Sequence, residues 1–385
     1  MRPKRKYPAA PIFQAQGCES SMGPGGASKG GRIATSPLAF ILLSMVLFGV
    51  SPPFAKLLGE DIDPVALAGL LYLGVFAGMG LYYAAASALG AGSRRAGLSL
   101  RRADAPWLAG ATVAGGIVAP IALMAGLRLI TGFAASLLLN LEGVATALIA
   151  SLLFREHTPG RVWAALAFMT AGGALLAWDP ATGRVSLAGP LLLVVTGACW
   201  GLDNNLTRHI SDRDPFQIAM VKGLVAGTFS LSLALALGSS LPAPREAVFA
   251  LVLGAVSYGA SIVLFVKALQ GMGASRAGAF FALGPFVGAV ASLVVLREWL
   301  GWVMLPAAAL MAVGSALIVL ERHSHLHVHE AVTHTHEHAH DDMHHGHPHG
   351  VMPAGTHTHE HTHEAVEHEH AHWPDMHHRH NHAGK

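Results

Sequence analysis

Ten apolar stretches, each about 20 residues long, follow one another through the chain and limit what it can fold into. A helix of that length crosses the hydrocarbon core of a bilayer. Because hydrocarbon offers backbone groups no hydrogen-bond partner, such stretches must fold as helices. We therefore predict an all-α polytopic membrane protein with ten transmembrane helices. The predicted spans are 37–58, 64–89, 105–129, 134–154, 162–178, 187–206, 215–237, 247–269, 277–296 and 300–320.

The composition supports a membrane protein and excludes several other classes. The chain is 52% hydrophobic and only 12% charged, whereas soluble domains are about 25% charged. Two cysteines, Cys18 and Cys199, are too few for a disulfide framework or a thiolate zinc site. A net charge of +2 gives no basis for a nucleic-acid partner. No sequence motif of an enzyme is found, so we do not expect catalysis.

Lys and Arg are distributed unevenly between the two sides of the predicted bundle. Both tails and the even-numbered loops carry 19 of the 25 Lys and Arg residues, whereas the odd-numbered loops carry four. Basic residues accumulate on the cytoplasmic side of membrane proteins. We therefore expect both termini in the cytoplasm, in a multi-pass protein of the bacterial inner (plasma) membrane.

The two halves of the chain contain an internal sequence repeat. Matching pairs occur in the same order in both halves, and each half has five spans, so the second half enters the membrane from the opposite side. Inverted repeats of this kind support alternating access to a site near the bilayer midplane. We predict a disordered basic tail over 1–34, five-helix repeats over 35–178 and 187–320, and a disordered His-rich tail over 323–385. The matches are Phe48-Gly49 with Trp200-Gly201, Asp63-Pro64 with Asp214-Pro215, Gly74-x-x-x-Gly78 with Gly223-x-x-x-Gly227, the Arg-Glu pairs at 155–156 and 297–298, and Gly172-Gly-Ala-Leu with Gly314-Ser-Ala-Leu.

These residues also carry a resemblance to a known family. The Trp200-Gly201 pair, the Asp-Pro openings at Asp63 and Asp214, and the Arg-Glu pairs resemble the EamA type of the drug/metabolite transporter (DMT) superfamily over residues 37–320. The resemblance implies a ten-helix secondary transporter, an exporter in our interpretation, of a small metabolite or drug-like solute. Phe48 departs from the pattern, because the second half has Trp at the corresponding place. A homodimer is compatible with this architecture.

Polar residues inside the spans are the candidate transport site, because ionisable groups in a membrane usually face a cavity or a partner. Glu142 lies near the middle of the fourth span beside Asn140, and it suits a proton carrier, a cation ligand or a structural hydrogen bond to a neighbouring helix. Asp203 and Asn204 lie in the sixth span, where Asp203 either contacts a polar substrate or pairs with Arg208. Lys222 either extends to the interface, pairs with Glu142 or Asp203, or binds a substrate carboxylate. Trp200 completes the candidate set.

Histidine is concentrated in the C-terminal tail, where 23 of the 25 His residues lie. Imidazole suits Zn, Ni and Co ions, so we expect the tail to bind divalent transition metals, although no cofactor is required. Three functions follow: a solute transporter with an accessory tail, a transition-metal efflux protein, or a membrane-tethered metal buffer. The first is favoured because no span interior contains a His. The predicted metal ligands are His334, His336, His338, His340, His357, His359, His361 and His363.

Overall fold

The computed structural model describes most of the chain between the N-terminal tail and the end of the last span, and four segments of the C-terminal tail. Residues 1–35 lie outside it, so the expected disorder of the N-terminal tail is not addressed. The described residues are 36–88, 98–154, 160–179, 184–211, 213–272, 274–299, 301–319, 323–329, 332–338, 357–363 and 366–372.

Up to residue 319 the described chain is almost entirely helical, and its helices follow the predicted spans. This confirms the predicted all-α membrane fold. In order, the helices are α1 (Pro37–Gly49), α2 (Ser51–Asp61), α3 (Pro64–Ala88), α4 (Ala105–Ala111), α5 (Ala119–Leu127), α6 (Gly132–Leu138), α7 (Leu141–Phe154), α8 (Gly160–Ala177), α9 (Ala188–Thr207), α10 (Pro215–Ala236), α11 (Pro244–Leu253), α12 (Ser261–Met272), α13 (Ala274–Phe281), α14 (Gly284–Val295) and α15 (Met304–Val319).

Seven continuous helical stretches of the described chain are long and apolar enough to cross a membrane. Two of the other three predicted spans are shortened or diluted for identifiable reasons, and the tenth is the 16-residue helix α15. The ninth span is divided between α13 and α14, where the Gly284-Pro285 pair begins a new helix. In α9 the polar run Asp203-Asn204-Asn205 lowers the apolar content of a 20-residue helix. A short strand pair, β1 (Trp178–Asp179) with β2 (Arg184–Val185), joins the two repeats.

The Asp-Pro pairs that open the second and seventh spans are helix caps. The Asp63 carboxylate accepts a hydrogen bond from Val65 N at 2.9 Å, and Asp214 accepts one from Phe216 N at 2.9 Å. The proline that follows each Asp occupies the first helical position, where its missing N–H costs nothing. The repeated motif therefore encodes the start of two corresponding helices.

Glu298, in one of the two Arg-Glu pairs, caps a helix in the other repeat. Its carboxylate accepts hydrogen bonds from Gly132 N at 2.6 Å and Phe133 N at 2.9 Å, at the start of α6. A carboxylate at a helix N-terminus satisfies free backbone N–H groups and the helix dipole. The Arg155-Glu156 pair lies outside the described residues.

The helix packing follows the inverted relationship of the two repeats. The first span packs on the eighth through α1 and α12, and the sixth packs on the third through α9 and α5. The fourth span packs on the sixth, and correspondingly the ninth packs on the first. Two helices of the first repeat pack directly on their own counterparts in the second: α3 packs on α10, and α8 packs on α15. The two repeats thus form one bundle, in which each of these contacts between spans has an equivalent contact formed by the corresponding spans of the other repeat.

The matched Gly pairs bring helix backbones close together. A Cβ on Gly223 would lie 2.8 Å from the carbonyl oxygen of Tyr72, and one on Gly227 would lie 2.7 Å from the backbone nitrogen of Leu73. Only glycine leaves room for α3 and α10 at this separation. Close approach through small residues is the usual basis of helix association in membranes.

The described parts of the C-terminal tail are strands, which differs from the disorder we expected there. Strand β3 (His323–His329) pairs with β6 (Val366–His372), and β4 (Val332–His338) pairs with β5 (His357–His363), both antiparallel. The alternation of His with Thr, Val and Glu has the period of two that suits a strand. β-branched Thr and Val also favour the extended conformation.

Candidate functional site

Asp203 and Lys222 form an ion pair between the sixth and seventh spans. Lys222 Nζ lies 2.5 Å from Asp203 Oδ2, and Thr207 donates to Asp203 Oδ1 at 2.9 Å. The two charged side chains are only 12% and 14% exposed. Of the alternatives open from the sequence, pairing of Lys222 with Asp203 is the one observed. A buried charge that loses its partner is strongly unfavourable, so the pair must form or be replaced together.

Glu142 lies beside this pair, on the fourth span. Its carboxylate accepts a hydrogen bond from Asn204 Nδ2 at 2.9 Å, and the same amide group lies 3.2 Å from Thr146 Oγ1. Asn204 is exposed at the surface of the described chain. Glu142 and Asp203 are close enough to interact electrostatically. Among the described residues, Glu142 makes no ion pair, so the cluster holds two carboxylates and one ammonium group.

A backbone carbonyl of the third span forms the other wall of the site. The span loosens into a π-helical turn over Thr112–Val118, and the carbonyl oxygen of Gly115 accepts from Tyr72 OH at 2.7 Å and Trp200 Nε1 at 3.1 Å. π-Helical turns leave backbone groups available and are frequent at functional sites. A Cβ on Gly115 would lie 2.6 Å from Cβ of Asp203 and nearer still to its carboxylate. Glycine is therefore required for the carboxylate to occupy this place.

A cluster of aromatic rings around Phe48 joins the polar cluster through Trp200, which donates to Gly115 O. Phe48 lies with its ring centroid 6.4 Å from Trp200, 5.7 Å from Tyr258 and 5.2 Å from Phe281. These rings come from four different spans. The site therefore combines charged groups, an amide and an aromatic wall, which is the composition of a small-molecule site.

The two repeats contribute unequally to the site. The eighth span also has a π-helical turn, Gly254–Ala260, at the position corresponding to that of the third span. The charged residues have no such counterparts: Ser51 corresponds to Asp203, and Gly284 corresponds to Glu142. Ser51 lies 3.4 Å from the Tyr258 hydroxyl. The backbone framework is thus repeated, whereas each ionisable group of the site occurs in one repeat only and has no ionisable counterpart in the other.

The structure brings together five of the six candidate site residues and separates one. Glu142, Asp203, Asn204, Lys222 and Trp200 lie in or beside the cluster. Asn140 instead accepts a hydrogen bond from Ser315 Oγ at 3.1 Å and donates to Leu137 O at 3.0 Å. Asn140 is buried, and its contacts join the fourth span to the tenth.

Three contributors were not foreseen: Tyr72, Gly115 and Thr146. None of the three is charged; Tyr72 and Gly115 lie in apolar stretches, and Thr146 lies one turn after Glu142 in the fourth span. The Gly115-Gly116 doublet in the middle of the third span was the one available signal, because adjacent glycines in a helix indicate a close approach. The tail ligand His340 lies outside the described residues. The other seven predicted tail ligands lie on β4 and β5.

Two basic residues near the bundle end that carries the odd-numbered loops are structural. Lys56 Nζ donates to the carbonyl oxygens of Leu127 and Ile130, and Arg128 donates to Gly59 O at 2.8 Å and Ile62 O at 2.7 Å. Cations favour the carbonyl end of a helix dipole. Among the described side chains, no group of three His, Cys, Asp or Glu residues is arranged to hold a metal ion.

The inverted repeats, the π-helical turns and the central polar cluster define a class of protein: a polytopic membrane carrier. The EamA-like transporter family model matches residues 35–178 and 187–320, which are the two repeats. The chain belongs to this family, and its activity is the membrane transport of a solute.

The chain is also similar to individual proteins. A protein of Methanothermobacter thermautotrophicus described as an uncharacterized transporter is 28% identical over 271 residues, which is 67% of this chain and 78% of that protein. The uncharacterized protein PA1977 of Pseudomonas aeruginosa is 31% identical over 179 residues, or 46% of this chain and 61% of that protein. A solved structure described as the crystal structure of a protein has a TM-score of 0.52 at 20% identity, covering 74% of this chain and 98% of the other. The last likeness shows a shared fold.

Proposed function

We propose that this chain is a proton-coupled secondary transporter that exports a small metabolite or drug-like solute through the cluster around Glu142. The observation that carries the proposal is the meeting of Glu142, Asn204 and the Asp203–Lys222 pair between spans of an inverted repeat. Ionisable groups at this depth are costly to keep, so they belong to the working site.

Glu142 is the coupling group in this scheme. Among the described residues it has a hydrogen-bond donor in Asn204 but no cationic partner, so its charge is available to a proton or to a positively charged group of the solute. Asp203 is already paired with Lys222 and accepts from Thr207. A proton and a positively charged group of the solute compete for this one carboxylate, so their binding at Glu142 is mutually exclusive.

Mutual exclusion at Glu142 also gives the direction. A carrier that exchanges protons for solute uses the inward proton gradient to drive the solute outward. In this exchange the solute leaves the cytoplasm as protons enter it. The aromatic wall of Phe48, Trp200 and Tyr258 suits a solute with an apolar body, since rings supply contact area without hydrogen-bond demands.

The C-terminal tail is a separate part of the proposal. Its His residues are ligands for Zn, Ni or Co ions, and in this orientation the tail lies in the cytoplasm. The tail serves as an accessory metal-binding segment rather than as part of the solute pathway.

The test is solute-driven proton movement by the purified protein in liposomes that enclose a pH-sensitive dye. A panel of organic amines, amino acids and aromatic drugs is added singly under an imposed pH gradient. We expect at least one amphipathic solute to release protons only in protein-containing vesicles. Solute flux that is indifferent to the pH gradient would contradict proton coupling, and movement of Zn or Ni without any organic solute would favour metal efflux.

A further inference from the structure

The four strands of the C-terminal tail place histidine opposite histidine. In the β4–β5 pair, His334, His336 and His338 are the register partners of His361, His359 and His357. In the β3–β6 pair, the partners are His323 with His372, His325 with His370, and His327 with His368. Each sheet therefore carries three His–His pairs in succession.

The sequence contains a reason for this register. The tetrapeptide His-Glu-Ala-Val occurs twice, at 329–332 and 363–366, and at each copy the numbering of the alternating His residues changes from odd to even. In the observed pairing, His329 is opposite Val366 and Val332 is opposite His363. Both pairings thus share one register, in which the first residue of each tetrapeptide lies opposite the last residue of the other. The shift of the His alternation therefore occurs at the same place on both strands, and His residues lie opposite His residues in both sheets.

Backbone placement of this kind suits a metal site. Residues directly opposite on an antiparallel pair have Cβ atoms about 5 Å apart and share a face. The next pair on the same face follows about 7 Å along the strands. Two successive pairs therefore offer four imidazole ligands within one small patch, and four nitrogen ligands suit tetrahedral Zn or planar Ni. A single His-x-His segment offers two.

We propose that the tail forms a metal-closed hairpin, in which Zn or Ni ions bind across the two strands to the opposed His pairs. This inference deepens the metal-binding part of the proposed function and is independent of solute transport. Closing both strands around one ion makes binding of the second strand intramolecular, which raises affinity without adding a new ligand type. Metal binding then stabilises strand pairing, and strand pairing in turn raises the affinity for the metal.

A composition-preserving variant tests the pairing. The changes H357T, T358H, H359E, E360H, H361T and T362H keep four His, two Thr and one Glu in this segment but move its His out of register with β4. Calorimetry of Zn binding is made on the full chain in detergent micelles, with a chain ended at Arg322 as the blank. Because the β3–β6 pairs are unchanged, we expect the variant to bind fewer Zn ions tightly than wild type, with the affinity of the displaced β4–β5 sites lower by roughly tenfold or more.

The outcomes separate the hairpin from metal binding in general. Equal affinity and stoichiometry in wild type and variant would overturn the hairpin and leave a metal-binding tail. Binding no greater than that of the truncated chain would overturn both. A second measurement uses cysteine pairs in a C18S/C199S background: T333C/T362C are register partners, whereas T333C/T358C are four positions out of register. We expect Zn to speed cross-linking by a short bismaleimide in the first pair only, and equal rates in both pairs would contradict the register.

Discussion

Phe48 and Trp200 occupy corresponding positions of the two repeats, and their ring centroids lie 6.4 Å apart. In an inverted repeat, corresponding residues meet only near the axis that relates the halves. The axis therefore passes beside the candidate site. The two rings differ in one respect that matters: the Trp200 indole donates to Gly115 O, whereas a phenyl ring has no such donor. At this contact the two backbones occupy equivalent positions, but of the two rings only Trp200 supplies a hydrogen-bond donor to the site.

Gly115 should tolerate no side chain. The change Gly115→Ala places a methyl group against Asp203, and overpacking of this kind costs about 1–3 kcal/mol. We expect lower thermal stability in detergent and loss of transport, because the carboxylate must move. Gly80→Ala is the matched control, since a Cβ there meets nothing within 4 Å. Equal behaviour of the two variants would contradict the close packing of Asp203 on Gly115.

The Asp203–Lys222 pair should behave as a unit. Either Asp203→Asn or Lys222→Met alone leaves one charge unpaired in a site where both side chains are nearly buried, at a cost of about 3 kcal/mol. The double variant removes both charges, so its melting temperature should lie above that of at least one single variant. Melting curves of the purified proteins measure this non-additivity. Strictly additive losses would mean that the two groups do not depend on each other.

Helix positions were predictable from the sequence, whereas the contacts of the site were only partly so. Apolar length and the Asp-Pro caps placed the spans, because each is a local signal. The sequence also singled out Lys222 and Asp203 as potential partners. It did not indicate whether the Asn140 side chain faces the polar cluster or the tenth span, because that depends on how the fourth span packs against the tenth. The role of Gly115 depends on the π-helical turn and on the distant Asp203, neither of which a local pattern encodes.

Topology is open to direct measurement. The Lys and Arg distribution predicts that reporters fused at Ser93 and Lys385 are cytoplasmic and that one at Asp61 is external. Paired reporters with opposite activities, such as a fluorescent protein and a periplasmic phosphatase, make each assignment self-checking. An external signal at Lys385 would require an odd number of crossings and would refute the inverted repeat in its present form.

The His-rich tail should be separable from transport. A chain ended at Arg322 should move an organic solute at the wild-type rate when metals are at ordinary levels, since the cluster around Glu142 lies entirely within the spans. The full chain should bind Zn or Ni at neutral pH and release the ions below about pH 6, because protonated imidazole cannot ligate a metal. Transport assays and metal content at both pH values check the two parts. Slower transport after truncation would instead favour a metal-collecting tail.

The role of Glu142 is the central claim, and proton-coupled transport by Glu142→Gln tests it most directly. The amide keeps the size of the side chain and much of its hydrogen bonding but cannot carry a proton. Glu60→Gln, an exposed position at the end of the first span, is the control. In liposomes with an imposed pH gradient, we predict that wild type and Glu60→Gln couple solute export to proton entry, whereas Glu142→Gln inserts normally and shows no coupled transport. Coupled export by Glu142→Gln at the wild-type rate and with the wild-type pH dependence would contradict the account.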